Sequence, residues 1–277
     1  MILKGEIPSC SDITMAIRER KEKANLAPGA KVTPEIMADM QLAGKNLDGI
    51  DIVRAAAELA AFPDVSITTN GMNAIAEVYN QKEKYRLQEG EYAIVFYLDE
   101  AEFELGLIER EDHKCVCKAR SNPVQNFQKL VRDAEESLFH KMKNCIEPSL
   151  VAVGITLEDE KYHRAYETFQ SGISRIRRQF VRNDEAVIKY DNGWLAVEET
   201  LPIKDYTACF APVYQECIKA VWQLQENENI SKIYLAGSRS DDVGLWDALE
   251  QKYPQRICIW GDLEHVMAIG ATMITNK

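Results

Sequence analysis

Acidic side chains are concentrated at a tip between two apolar runs of strand length, residues 92–98 and 103–108. Carboxylate oxygens grouped in this way are the ligands of hard cations such as Mg²⁺ or Ca²⁺. The simpler interpretation is the charged tip of a hairpin at a sheet edge. Both interpretations concern the same four residues, Asp99, Glu100, Glu102 and Glu104.

A second group of possible ligands is the alternating set His113, Cys115 and Cys117. On a strand, alternating residues share one face. Zinc would require a fourth ligand and usually a turn between its cysteines, as in a C-x₂-C spacing. Buried cysteine acting as a small apolar residue is the default interpretation. We therefore predict no metal site.

Basic and glycine-containing segments occur later in the chain. A basic cluster that includes Arg177 and Arg178 lies in the helix predicted over residues 161–181. The sequence Gly-Ser-Arg at residues 237–239 joins a predicted buried strand to the next predicted helix. Arginines on a helix are commonly a solvated face, and glycine at a strand-to-helix turn is ordinary turn chemistry.

Hydrophobic periodicity predicts the elements that position these residues. A third run, residues 113–118, extends the hairpin to a three-stranded meander. Residues 81–90 form a charged connector between the N-terminal part and this meander. Further strands are predicted at 65–68, 150–155, 187–190, 194–197, 232–236 and 257–260. Helices are predicted at 11–23, 33–42, 49–61, 70–79, 127–142, 161–181, 203–224, 243–252 and 263–274.

Size and charge exclude several classes of function. A chain of 277 residues can bury a core as one large domain or two lobes. The formal net charge of −11 argues against nucleic acid and anionic membranes as partners, because both require a cationic surface. The sequence contains no apolar run of transmembrane length and no signal-peptide pattern. With seven scattered cysteines, these features predict a cytoplasmic protein.

Four segments together resemble the ATPase domain of the 70-kilodalton heat-shock chaperones. Residues 97–104 read YLDEAEFE where that family has DLGGGTFD, and residues 70–79 read NGMNAIAEVY where it has NEPTAAAxAY. The tail, IYLAGSR at 233–239 and DLEHVMAIGAT at 262–272, is similar to the family's closing pattern. The resemblance covers residues 60–277, and it is strongest at both ends of that span.

The resemblance implies an α/β fold related to the second lobe of an actin-like ATPase, which is ribonuclease-H-like. A mixed sheet would be flanked by helices, and a smaller α/β subdomain would occupy about 125–200. Residues 1–60 would form an N-terminal helical region of unclear role, and residues 61–277 would form the lobe.

The same resemblance implies a nucleotide site that has lost its phosphate chemistry. The family's loop glycines, which let backbone N–H groups hold phosphate, are replaced by carboxylates. The family's catalytic glutamate is Gly71 here, residues 120–126 contain no glycine, and no first phosphate loop is present. The degenerate phosphate loop is Asp99, Glu100 and Glu102. The implied nucleoside contacts are Arg177, Arg178, Gly237, Ser238 and Arg239.

These features favour a catalytically inactive binding or scaffold module without a cofactor, acting through a protein partner or self-association. The alternative is a chaperone-type ATPase or switch that binds ATP or ADP with Mg²⁺ and is completed by a second chain. A third class, a metal-binding regulator, predicts bound zinc. Ser–His–Asp hydrolases, P-loop proteins and dinucleotide-binding proteins are not supported, because their motifs are absent from the sequence.

Overall fold

The computed structural model of the chain describes residues 2–4, 14–19, 35–39, 66–68, 71–99, 102–121, 124–155, 173–191, 196–225 and 228–275. Its strands are β1 (Ile2–Lys4), β2 (Glu35–Asp39), β3 (Ser66–Thr68), β4 (Tyr92–Leu98), β5 (Phe103–Glu111), β6 (Lys114–Arg120), β7 (Glu185–Asp191), β8 (Ala196–Pro202), β9 (Ile230–Ala236) and β10 (Ile257–Cys258). Its helices are α1 (Gly71–Asn80), α2 (Phe127–Ala152), α3 (Ile173–Phe180), α4 (Ile203–Gln225), α5 (Val243–Lys252) and α6 (Val266–Thr275).

The main sheet is mixed and has the strand order β10-β9-β4-β5-β6. The predicted meander supplies β4, β5 and β6, which pair antiparallel. Strand β9 returns from the C-terminal part of the chain and pairs parallel with both β4 and β10. The prediction of an α/β fold with a mixed sheet flanked by helices is confirmed at this level.

Helices cover both faces of this sheet. Alternate residues of β4 point to opposite sides, so Ile94 and Phe96 join one apolar cluster while Val95 and Tyr97 join the other. Helices α2, α4 and α5 pack on the first side, and α1 and α6 pack on the second. Because both faces of β4 are buried, its sequence is a continuous apolar run. Each buried large apolar side chain stabilises the fold by about 1.5–3 kcal/mol.

The β5–β6 hairpin turns at Asp112 and His113, which both have positive φ, 49° and 64°. Two such residues in succession are typical of a type I′ turn, whose twist matches that of the strands. Beyond the turn, β6 is the last strand of the sheet. Helix α1 contacts this strand through two side chains. Glu77 Oε1 accepts a hydrogen bond from the Cys115 N–H at 2.8 Å, and Asn73 Oδ1 accepts one from the Cys117 N–H at 2.8 Å.

The N-terminal part contains a second sheet that the sequence did not predict. Strands β1, β2 and β3 are parallel, with β2 in the centre. The predicted helix over residues 33–42 is therefore wrong at 35–39, where β2 forms between two parallel neighbours. The segment 14–19 is helical, and the helix predicted at 49–61 lies outside the described residues. The proposed division of the chain near residue 60 stays a prediction.

Helix α2 continues ten residues beyond its predicted end at Met142, to Ala152. The strand predicted at 150–155 is therefore wrong. Leu138, Met142, Ile146 and Leu150 are buried and recur every four residues, so packing on one helical face overrides the β-branched character of this segment. The strand predicted at 187–190 lies within β7, whereas β8 begins two residues after the start of the strand predicted at 194–197 and continues to Pro202. The two strands pair antiparallel, and residues 192–195 between them lie outside the described part of the chain.

None of the described helices is both long and apolar enough to cross a lipid bilayer.

Candidate functional site

The adjacent parallel strands β4 and β9 place their carboxyl ends together, with Tyr97 opposite Ala236 in the register. In open α/β sheets, ligand sites lie outside the carboxyl ends of parallel strands. Here the residues that follow these two strands meet Arg177 of α3. We call Asp99, Gly237, Ser238, Arg239 and Arg177 the strand-end cluster.

Gly237 sets the close approach of the two strand ends. Its φ is 95°, in the left-handed region that favours glycine. A Cβ at this position would overlap the carbonyl group of Leu98, at the end of β4. The same Leu98 carbonyl accepts a hydrogen bond from the Arg239 N–H at 3.1 Å. The turn after β9 is therefore fixed against the end of β4.

Asp99 lies against this turn. Its carboxylate accepts hydrogen bonds from the Ser238 hydroxyl and, at 3.1 Å, from the Tyr97 hydroxyl. Its backbone N–H donates to the Glu102 carbonyl at 2.8 Å, which closes the tip. Burial and the neighbouring Asp99 carboxylate raise the pKa of Tyr97, so that its hydroxyl stays a donor. The first residue of the degenerate loop is thus joined to the turn that was predicted to contact a nucleoside.

Arg177 is only 7% exposed and reaches the same turn from α3. Its Nη1 lies 2.8 Å from Oδ1 of Asp241, and its Nη2 donates to the Ser238 carbonyl at 3.1 Å. The neighbouring Arg178 is exposed. Adjacent helical residues point about 100° apart, so only one of the two can face the turn. The structure therefore brings Arg177 into the cluster and leaves Arg178 outside it.

Arg239 joins the strand-end cluster through its backbone N–H, and Glu102 and Glu104 lie at the periphery of the cluster. Arg239 is buried and forms an ion pair with Glu135 of α2, so its side chain points to the helical layer. Glu102 contributes the backbone carbonyl described above, and its side chain is exposed. Glu104 pairs with Arg120 across β5 and β6 at 2.9 Å. Glu100 lies outside the described residues.

Sequence reasoning missed Asp242, which holds the cluster to the helical layer. It is buried, and it caps α5 by accepting a hydrogen bond from the Leu245 N–H at 3.2 Å. It also accepts hydrogen bonds from the hydroxyls of Tyr206 and, at 2.6 Å, Tyr214, both on α4. An aspartate directly before a helix is a recognisable capping signal. The meeting with the two tyrosines has no local signal, because they are distant in sequence.

The predicted alignment of His113, Cys115 and Cys117 on one face is wrong. His113 lies in the left-handed turn and is exposed, while Cys115 is buried in the strand that follows. Burial raises the pKa of the Cys115 thiol to about 12, which keeps it protonated at neutral pH, whereas metal binding requires the thiolate. Within the described residues, no group of three His, Cys, Asp or Glu side chains is placed to hold a metal ion.

The arrangement of the strand-end cluster determines which chemistry it can support. Asp99 presents a negative charge at the strand ends, and the positive charge of Arg177 is compensated by Asp241. The Ser238 hydroxyl is used as a donor within the cluster. Among the described residues, the cluster offers an anionic ligand the carboxylate of Asp99 and a guanidinium that Asp241 compensates, so it favours internal contacts over an anionic ligand.

A scan against protein-family models and a search of curated proteins both find no match to this chain. The resemblance to the heat-shock chaperone ATPases therefore stays a prediction, and the functional argument depends on the geometry of the strand-end cluster.

Proposed function

We propose that the chain is a binding module that does not hydrolyse nucleotide, built on a lobe related to the actin-like ATPases. Support for the relationship comes from the element order, in which a meander is followed by helices and then by two further strands parallel to its first strand. The glycine turn after β9 supports it further, because it lies where the sequence resemblance puts a nucleoside contact.

The observation that carries the proposal is the hydrogen bond from Ser238 to Asp99. It joins the tip where the resemblance places a phosphate loop to the turn where the resemblance places a nucleoside contact, so a nucleotide bound in the family's way would have to break it. In-line phosphoryl transfer needs phosphate cradles, a metal ion and a group that positions water. A phosphate charge about 4 Å from Asp99 would be repelled by about 4 kcal/mol at an effective dielectric constant near 20. Gly71 starts α1 and has no side chain that could position water.

Calorimetric titration with ATP and ADP, each with and without Mg²⁺, tests this proposal. We expect no heat of binding at millimolar nucleotide and no rise in melting temperature, since a ligand that binds the folded state stabilises it by RT ln(1 + [L]/Kd). If repulsion is the cause, Asp99→Asn should bind nucleotide more tightly than wild type. Asp133→Asn, at an exposed carboxylate of α2, is the matched control.

Micromolar binding of nucleotide to the wild-type chain would contradict the proposal. It would favour the alternative function, a nucleotide-dependent chaperone or switch completed by a second chain. Arg177, Gly237 and Ser238 would then be the residues to substitute.

We propose that this binding module acts by associating with a second copy of itself. The surface residue that best supports this is Trp222 on α4. Its side chain is 67% exposed, and large exposed aromatic residues are typical of contact surfaces. Lys219 lies about one helical turn before it and pairs with Glu216 on the same helix. In a two-fold antiparallel pairing of α4 with a second copy, this surface would face the same surface of the other copy, and both Trp222 side chains would be removed from water.

We expect the protein to show concentration-dependent dimer formation in sedimentation velocity, and Trp222→Gln to weaken that dimer at least tenfold. The neighbouring exposed residue offers a matched control, Gln223→Ala, which should leave the association unchanged. A wild-type protein that stays monomeric at high concentration would show that self-association through α4 is wrong.

A further inference from the structure

A second polar site lies at the opposite end of the main sheet from the strand-end cluster. It is a cavity of about 350 Å³ between the end of α1, the segment that follows it, and the β5–β6 turn. Strand β4 separates the two sites by about 20 Å, given a rise of about 3.3 Å per residue. The residues that matter here are Glu77, Asn80, Arg86, Glu89, Arg110 and His113, which we call the Arg110 pocket.

Arg110 is the central feature of this pocket. Its side chain is only 15% exposed, and its two carboxylate neighbours are both distant. Nη1 lies 3.8 Å from Oε1 of Glu77, and Nε lies 3.8 Å from Oε1 of Glu89. Both distances exceed the 2.7–3.2 Å of an N–H···O hydrogen bond. Within the described residues, its one side-chain hydrogen bond is donated by Nη1 to the sulfur of Cys115 at 3.9 Å. The positive charge of Arg110 is therefore compensated, while its guanidinium N–H donors remain available to an oxygen acceptor.

The walls of the pocket are already held in place by the protein. Asn80 accepts a hydrogen bond from the Leu87 N–H at 2.8 Å and donates one to Cys115. Arg86 Nε donates to the Asn80 carbonyl at 3.2 Å. Oε1 of Glu89 accepts from the His113 N–H at 2.9 Å and lies 3.0 Å from its Nδ1. A pocket organised in this way loses little conformational freedom when it binds.

The charges in the pocket determine which ligand fits. Two guanidinium groups, from Arg86 and Arg110, are balanced by two carboxylates, from Glu77 and Glu89. A simple anion would be repelled by the glutamates, and a simple cation would be repelled by the arginines. A ligand that carries one positive and one negative charge a few ångströms apart can pair with both the arginines and the glutamates. Guanidinium groups bind carboxylates through paired N–H donors, and a carboxylate accepts hydrogen bonds from ammonium.

We propose that the Arg110 pocket binds a small zwitterion of the α-amino acid class. The ligand's carboxylate binds Arg110, and its ammonium group donates to Glu89. A volume of about 350 Å³ is at the lower end of small-molecule sites, which is consistent with a ligand of amino-acid size. This site is independent of the strand-end cluster and of the proposed self-association through α4.

Calorimetry with L-alanine and L-serine tests the proposal on the full chain, with acetate and methylammonium as probes that carry one of the two charges. We expect sub-millimolar binding of the amino acids and at least tenfold weaker binding of either single-charge probe. Glu89→Gln and Arg110→Gln should each weaken amino-acid binding at least tenfold. Arg182→Gln, at an exposed arginine remote in sequence from the pocket, is the matched control and should bind as wild type does.

Because Arg110 is largely buried, its substitution can affect folding, whereas Glu89 is about half exposed. Glu89→Gln is therefore the decisive variant, and circular dichroism verifies that it is folded. The proposal is overturned if the folded wild-type protein binds neither amino acid, if acetate alone binds as tightly, or if Glu89→Gln leaves the affinity unchanged.

Discussion

Gly237→Ala is expected to abolish the native packing of β4 against β9 and to destabilise the fold by more than about 3 kcal/mol. Adding a Cβ at this position destabilises the fold in two ways. A non-glycine residue at a φ of 95° is strained by about 1–3 kcal/mol. The new Cβ would also overlap the Leu98 carbonyl, and a backbone atom cannot move aside as a flexible side chain does. Moving the turn away from β4 would break the Ser238–Asp99 hydrogen bond as well.

Urea unfolding monitored by circular dichroism measures this effect, and two other glycines separate its causes. Gly90 has a φ of 76°, and a Cβ added there would meet no other atom within 4 Å, so Gly90→Ala reports backbone strain alone. Gly261 has neither positive φ nor a close neighbour, so Gly261→Ala should be within about 0.5 kcal/mol of wild type. A Gly237→Ala protein as stable as Gly90→Ala would show that the close approach to Leu98 is unimportant.

Asp242→Ala should destabilise the protein by about 3–7 kcal/mol. The substitution removes the cap of α5, which is typically worth about 1 kcal/mol. It also removes the acceptor for the hydroxyls of Tyr206 and Tyr214, and each unsatisfied buried polar group costs about 1–3 kcal/mol. Denaturant unfolding measures the loss. Asp133→Ala, on the exposed face of α2, should change the stability by less than about 0.5 kcal/mol.

The pH dependence of stability provides a second measurement for Asp242. Burial and the Asp242 carboxylate raise the pKa of Tyr206 and Tyr214 above the ordinary value. Because the folded-state pKa exceeds that of the unfolded chain, this stabilisation is complete below about pH 10 and decreases as the pH rises further. Asp242→Asn keeps an acceptor oxygen but removes the charge, so the folded-state pKa of both tyrosines should fall and the loss of stability above pH 10 should end at a lower pH than in wild type. The same end point in both proteins would show that the carboxylate does not act on the tyrosines.

The meander and most helices were predictable from the sequence because their periodicity is local. Residues 92–118 alternate between apolar runs and polar breaks, and the three strands form there. The predictions that were wrong concern segments whose structure depends on residues distant in sequence. Strand β2 forms because β1 and β3 lie on either side of it, and its own sequence is equally compatible with a helix. The strand order β10-β9-β4 depends on pairing across more than a hundred residues, which no local pattern shows.

The candidate site was predictable in its composition and only partly in its geometry. Gly237 was recognisable as a turn residue, since a strand-to-helix turn commonly needs glycine. The alternation of His113 with Cys115 was misleading, because a left-handed turn without glycine interrupts the strand pattern. The Asp99–Ser238 contact joins residues 139 positions apart. Only the parallel pairing of β4 with β9 brings them together.

The contacts of α1 with β6 protect an edge of the main sheet against aggregation. In an antiparallel hairpin, alternate N–H groups point away from the partner strand, and those of Cys115 and Cys117 are satisfied by Glu77 and Asn73. Displacement of α1 would expose these donors together with a row of apolar residues. Such a surface templates pairing with other chains. Damage to this helix should therefore appear first as aggregation, before the rest of the sheet unfolds.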